Sequence, residues 1–279
     1  MRQRTRLTIT LPSETITRID HLIDGVNVRN RSHAVERLIN QALDPVVNTA
    51  VILAGGKSNR QKAPLKPIGD KYLLSIMLEQ LKRHGITQLH ICASPDLVTE
   101  LRARFGDGQV FGVNISFHLE PEPLGTAGAL KAIAKHLLAA PFLVLHGDVL
   151  TNINLGEFIE FHQREAGMAT IAVKPRMSER AFGRVFLQGN QIKQFLSTGD
   201  NQGISIVNTG LYVLEPKILN LIKPRKKVFL ETEIFPLLAK KGQLNAFIFQ
   251  GIWYDVSSPA SQAEATSAWD AGVAKIRDL

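Results

Sequence analysis

One cysteine is all that this 279-residue chain contains. A lone thiol excludes an internal disulfide and a cysteine-built zinc site, and it suits a reducing compartment. Cys92 sits in the strand-like run Leu89-His90-Ile91-Cys92 and reads as buried packing, not as a nucleophile. Long apolar runs are also missing, and none approaches the length of a membrane span. The opening Met1-Arg2-Gln3-Arg4-Thr5-Arg6 is basic but lacks the apolar segment of a signal peptide, so a cytoplasmic location is expected. Repeats and low-complexity tracts are absent. Acidic residues are in short supply, 25 against 33 lysines and arginines, which leaves a formal net charge of +8. That balance favours anionic partners (nucleotides, sugar phosphates or nucleic acid) without choosing among them. A hydrophobic content of 44% and a charged content of 21% describe a globular protein. The length suffices for one large α/β domain and a small module.

The small module spans residues 1–46. From Arg4 the chain alternates, with Arg4, Arg6, Thr8 and Thr10 on one face and Thr5, Leu7, Ile9 and Leu11 on the other, which predicts a half-buried strand. Pro12-Ser13 opens a helix carrying Ile16, Ile19, Leu22 and Ile23, and Gly25 breaks it. Ser32 is the expected N-cap of a second helix, in which Val35, Leu38, Ile39, Ala42 and Leu43 keep helical spacing up to Pro45. One strand and two short helices bury too little surface alone, and a lone strand leaves two open edges. Two copies pairing their strands would solve both problems. The run from Arg6 to Pro12 and the start Asn30-Arg31-Ser32-His33-Ala34-Val35 resemble the ribbon-helix-helix family of DNA-binding dimers. The resemblance implies a homodimer whose Arg6, Thr8 and Thr10 face bases, whose Ser32 faces the DNA backbone, and whose Arg4 adds a phosphate contact. A dimerisation clip with a merely solvated strand face remains the alternative.

The second domain, residues 49–279, is organised around Val51-Ile52-Leu53-Ala54-Gly55-Gly56-Lys57-Ser58-Asn59-Arg60. A run of β-formers ends in two glycines and a basic loop, and glycine lets backbone N–H groups close around phosphate oxygens. Taken alone, the pair of glycines equally describes an ordinary strand-to-helix turn. Downstream, helices over Leu73 to His84 and Asp96 to Phe105 alternate with strands over Gln88 to Ala93, Val113 to Leu119 and Pro141 to His146. A helix also follows the loop that ends at Gly128, and a hairpin turns at Gly189-Asn190. This order predicts a mostly parallel, doubly wound sheet.

Six motifs then occur in order: Leu53-Ala54-Gly55-Gly56, Pro67-Ile68-Gly69-Asp70-Lys71, Glu122-Pro123-Leu124-Gly125-Thr126-Ala127-Gly128, Gly147-Asp148, Asn208-Thr209-Gly210-Leu211-Tyr212 and Trp253-Tyr254-Asp255-Val256. Together they resemble the sugar-phosphate nucleotidyltransferases (NDP-sugar pyrophosphorylases) over residues 51–265. The resemblance implies a Rossmann-like doubly wound mixed sheet. It also implies the joining of a nucleoside triphosphate to a sugar 1-phosphate, with Mg²⁺ as cofactor; the lack of a long apolar run separately leads to the expectation of no membrane partner. Both reactants are polyanions, so such catalysis is charge neutralisation and in-line positioning. By resemblance Asp148 and Asp255 hold the metal, Asp148 at a strand's carboxyl end. Leu53, Ala54, Gly55, Gly56, Glu122, Gly125, Thr126 and Gly128 meet the nucleotide, Arg60 and Lys62 the phosphates, and Gly183, Asn208 and Thr209 the sugar. Lys174 is a further phosphate candidate, set against the commoner surface lysine at a strand end. Glu231 and Glu233 are candidates to touch substrate, set against the commoner solvated helix start.

The pattern departs from the family at three places. Ser58 and Asn59 replace the second Gly and the Thr/Ser of the phosphate loop, which is also several residues short. The family's Pro-Lys pair aligns with Lys62-Ala63, which moves the lysine by one position and makes Lys66 a second candidate. The family's Glu-Lys pair becomes Leu196-Ser197-Thr198. Two classes of function follow: a transferase, or a DNA-binding regulator whose altered transferase domain senses a nucleotide-sugar. Transfer to a non-sugar phosphate is a third.

Overall fold

The computed structural model describes residues 8–26, 28–43, 47–56, 62–165, 167–177, 184–196, 204–224 and 227–271. The chain divides into two compact units, Met1–Pro45 and Val46–Leu279. Arg4, Arg6, Arg60 and Gly183 lie outside the described residues. No described helix is long and apolar enough to cross a membrane.

The first unit contains α1 (Ser13–Asp20) and α2 (Arg31–Leu43). Residues 8–12 form neither helix nor strand, in contrast to the predicted strand, and Thr8 and Thr10 are exposed. An isolated extended segment has no ladder partner within one copy of the chain. The predicted cap also moves: Asn30, not Ser32, accepts the amide of His33 (2.9 Å) at the start of α2, and Ser32 is exposed. Arg31 grips Asp20 with two bonds of 2.6 and 2.7 Å, tying the two helices together. Ile19, Val28 and Ala34 form the unit's buried cluster.

In the second unit a nine-stranded mixed sheet separates two layers of helices. Its strands are β1 (Thr49–Leu53), β4 (Gln88–Ala93), β5 (Asn114–Leu119), β6 (Phe142–His146), β8 (Ala169–Met177), β9 (Arg184–Gln188), β10 (Gln191–Leu196), β11 (Ile204–Leu214) and β12 (Leu244–Ile248). Two small ribbons stand apart, β2 (Pro67–Ile68) with β3 (Lys71–Tyr72), and β7 (Val149–Thr151) with β13 (Trp253–Asp255). The order across the sheet is β5-β4-β1-β6-β11-β8-β12-β10-β9. Strands β5, β4, β1 and β6 run parallel, β11 is antiparallel to both β6 and β8, and β12 lies parallel to β8.

The strand β1 shows why the layers exist. Ala50 and Ile52 pack into one core while Val51 packs into the other, and all three are fully buried. A strand buried on both faces requires helices on both sides. On the first side lie α3 (Leu73–Arg83), α4 (Pro95–Phe105), α6 (Leu155–Glu165) and α8 (Pro259–Asp270). The opposite side carries α5 (Gly125–Ala132) and α7 (Phe235–Lys240). Each fully buried Val, Leu or Ile contributes about 1.5–3 kcal/mol relative to exposure. Cys92 is buried in the second core, and burial pushes its thiol pKa up, as expected of packing.

Candidate active site

The four parallel strands all end at one edge, where the register sets Leu53 beside Cys92 and His146, and Ala93 beside Leu119. A cleft of about 860 Å³ opens at this carboxyl edge. Leu53, Gly55 and Gly56 line it after β1, Glu120 and Pro123 after β5, and Gly125 and Thr126 at the start of α5. His146 and Asp148 border it after β6, Lys227 and Phe229 from a connecting segment, and Ser257 to Pro259 before α8. This is where an open α/β sheet places its ligand.

The two glycines are required for different reasons. Gly56 has φ +111°, a conformation that L side chains rarely adopt, and a Cβ on Gly55 would collide with the Glu120 carboxylate. Glu120 is itself only 8% exposed, and burial raises its pKa against a backbone hydrogen bond from Leu124 that lowers it. Its carboxylate therefore stands against the glycine loop inside the cleft.

Asp148 and Asp255, 107 positions apart, are brought together by a ribbon. In the β7–β13 pairing Asp255 stands opposite Val149, and the Val256 amide donates to the Asp148 carbonyl at 2.8 Å. Asp148 is 6% exposed and borders the cleft, whereas Asp255 is half-buried and accepts the Ser257 amide at 2.8 Å. Lys66 donates to the carbonyls of Val256 and Ser257, so it clamps the loop behind Asp255.

Beside Asp148 a polar network closes around Glu231. Thr126 donates to Glu231 Oε2 at 2.6 Å, Tyr212 to Oε1 at 3.0 Å, and His146 Nε2 lies 3.4 Å from Oε1. Burial opposes the charged form of Glu231, but the bonds from His146 and Thr126 outweigh it and hold the carboxyl pKa below its usual value. Glu231 belongs to a one-turn π-helix, Leu230–Ile234, and is not the solvated helix start that its sequence suggests. Glu233 does take that role, exposed and accepting the Phe229 amide.

Asn208 stabilises the irregularity in β11, donating to Tyr212 Oη at 2.9 Å and accepting the Gly210 amide at 3.0 Å. Thr209 turns away from the cleft, since it is 1% exposed and its hydroxyl is given to the Ala172 carbonyl at 2.6 Å. It lies within β11 of the sheet. Ala54 and Gly128 are buried behind the lining, and Glu122 is exposed outside it. Lys62 is exposed and lies 3.3 Å from Glu100. Lys174 donates to the Gly251 carbonyl and stands over the Phe249 ring, with burial lowering its pKa.

Sequence reasoning thus placed Leu53, Gly55, Gly56, Gly125, Thr126 and Asp148 among residues that line the cleft, did not single out Glu120, His146 or Lys227, and gave Glu231 only as the less favoured substrate contact. The alternation of β5 carries a signal for Glu120, which continues the face of His118. Lys227 has no sequence signal that sets it apart from Lys223, Arg225 and Lys226 around it.

Residues 49–271 match the family model for nucleotidyl transferase, and the chain belongs to that family. Residues 5–44 match the model for ribbon-helix-helix protein, copG family. A mannose-1-phosphate guanyltransferase from Saccharomyces cerevisiae is 30% identical over 240 residues, covering 81% of this chain and 65% of that one. The chain thus spans less than two thirds of that relative's length. A Bacillus anthracis chain solved in complex with a sucrose shares the fold, with a TM-score of 0.72 at 21% identity, over 83% of this chain and 97% of that one. HddC from Yersinia pseudotuberculosis, solved with GMP-PN, gives a TM-score of 0.67 at 25% identity, over 80% and 100%.

Proposed function

We propose that the protein joins a nucleoside triphosphate to a sugar 1-phosphate and releases pyrophosphate. A sugar-phosphate oxygen attacks the α-phosphorus of the triphosphate. The bond from that phosphorus to the bridging oxygen of the β-phosphate breaks, and pyrophosphate leaves. The observation that carries this reading is the β7–β13 ribbon, which brings the backbone of Asp255 beside that of Asp148, a lining residue of the cleft that Gly55 and Gly56 also border. Two carboxylates with substrate phosphate oxygens are the hard donor set that Mg²⁺ takes, so the residues fit that ion. Asp148 and Asp255 would hold it, and there it would supply neutralisation of phosphate charge. The chain's own residues bind and orient: the glycine backbone admits the nucleotide closely, and the Glu231 network fixes Thr126 at the cleft wall.

We assign guanosine as the nucleoside. An ionised carboxylate only accepts hydrogen bonds, and guanine offers N1–H and N2–H₂ side by side. Glu120, desolvated inside the cleft, gains most from such a partner. The guanyltransferase relative and the GMP-PN complex of HddC support the same choice. For the N-terminal unit, the ribbon-helix-helix match favours pairing of two copies, with binding of DNA as a second activity.

The test is pyrophosphate release with Mg²⁺ across a grid of triphosphates and sugar 1-phosphates. Turnover with GTP is expected to fall by about 10²- to 10³-fold in Asp148→Asn, and by a similar factor in Asp255→Asn. Silence of the wild type over the whole grid would refute the proposal.

A further inference from the structure

The cleft is to receive two polyanions, yet among the described residues three lysines that sequence alone would offer to it have protein partners. Lys62 pairs with Glu100, Lys66 clamps the carbonyls of Val256 and Ser257, and Lys174 serves the Gly251 carbonyl. The start of α5 is no free anion site either. Its Ala127 and Gly128 amides both donate to the Val228 carbonyl, at 3.0 and 3.1 Å. A strap of chain, residues 227–230, thus lies across the helix end and occupies two of the donors that a phosphate would use.

That strap is anchored at several points. The Val228 amide donates to the Leu124 carbonyl at 2.9 Å, and the Leu230 amide to Thr126 Oγ1 at 2.8 Å. Val228 is 5% exposed, and Gly125 lies so close that a Cβ there would come within 2.5 Å of the Val228 carbonyl oxygen. The residue preceding this anchor is Lys227, whose ammonium stands 5.7 Å from the Phe229 ring centre at the wall of the cleft. Among the described residues Lys227 is the one lysine or arginine in the lining, facing a site that already holds Glu120 and Asp148.

We propose that Lys227 is a substrate-binding residue, the strap-borne cation that pairs with a phosphate group in the cleft. The strap takes two backbone donors of α5 out of use and brings a lysine to the same wall. This inference rests on the transferase reading of the same cleft. Its ligand chemistry is a phosphate, present in both the triphosphate and the sugar 1-phosphate.

The experiment compares the full-length wild type with Lys227→Met and Lys227→Arg. It measures kcat/KM with each substrate varied in turn, and the Kd of GTP and of each sugar 1-phosphate by calorimetry. A charge-assisted hydrogen bond is worth about 1.5–3 kcal/mol, which converts to a loss of roughly 10- to 150-fold in kcat/KM for Lys227→Met. Lys227→Arg should keep most of the activity, and both variants should melt with the wild type. A rise in the Kd of GTP alone assigns the contact to the triphosphate, and a rise for the sugar 1-phosphate alone assigns it there. If the wild type does not turn over, the transferase reading fails by itself and the calorimetric comparison still tests Lys227. Equal binding and equal kcat/KM in Lys227→Met would overturn the proposal. So would an equal loss in both variants accompanied by a lowered melting temperature, because that pattern marks a structural role.

Discussion

Acid should weaken the large unit through a cluster of histidines on β4, on β5 and after α5. His90 on β4, His118 on β5 and His136 after α5 form a triangle with ring centres 5.0, 5.2 and 5.4 Å apart. His90 Nδ1 and His118 Nε2 are 2.9 Å apart, so one proton already sits between them. A further proton on the accepting nitrogen would set two N–H groups against each other and put an imidazolium among the half-buried rings. Burial, reinforced by His118 and His136, lowers the His90 pKa from 6.5 to about 4. His118 is shifted the same way by burial, His136 and Lys135, and His84 by burial and Arg83. The unfolded chain therefore binds protons that the folded chain refuses. Stability is fully present above pH 6.5 and is lost as pH falls from 6.5 towards 4. The full His90 gap corresponds to about 3 kcal/mol, and partial solvent screening reduces it to roughly 2 kcal/mol. Glu120 acts in the opposite sense, since its raised pKa favours the folded state as acid is added. The chain's two tryptophans, Trp253 and Trp269, both belong to the large unit and are buried, so their fluorescence in urea reports that unit alone. Between pH 7.5 and 4.5 the wild type should lose about 2 kcal/mol, and His90→Leu should lose at most half as much. An identical pH slope in the two proteins would refute the argument.

Gly125→Ala combines a φ of +76° with a clash against the Val228 carbonyl, so it should cost about 1–3 kcal/mol and raise the Kd of GTP by lifting the strap. Unchanged melting and GTP affinity would show that the strap gives way freely. In the N-terminal unit Ile9, Leu22, Leu38 and Ile39 are 40–49% exposed around a described core of Ile19, Val28 and Ala34. Light scattering should find an oligomer in the full chain and a smaller species once residues 1–46 are removed. The same oligomer in both would place its interface in the large unit.

What could be read from the sequence follows from how local each signal is. The strands β1 and β6 were readable because parallel strands buried on both faces are short continuous apolar runs, as in Phe142-Leu143-Val144-Leu145. Pairing was not readable. The insertion of β11 between β6 and β8, and the return of β12 beside β8, depend on contacts between distant residues that no periodicity encodes. The N-terminal segment belongs to the same class of signal. The alternation from Arg4 to Leu11 describes an extended segment, but a ladder needs a second strand, and residues 8–12 have none within one chain.

The site shows the same division with greater consequence. Glycines at forced backbone positions and Asp148 after an apolar strand carry their roles in local sequence. The cations do not, because a lysine's role depends on what its ammonium reaches. Lys62, Lys66 and Lys174 looked like phosphate ligands by position, yet each finds a protein partner first. Glu231 looked solvated because acids favour a first helical turn, yet Thr126 and Tyr212 both donate to it. Those bonds couple the strap to the cleft: Thr126 Oγ1 accepts the Leu230 amide while donating to Glu231, so one hydroxyl joins the helix start, the strap and the buried carboxylate. Electrostatic preorganisation in this cleft therefore lives in a segment whose sequence reads as an ordinary basic loop, and substitutions there should alter substrate binding as readily as substitutions in the glycine motif.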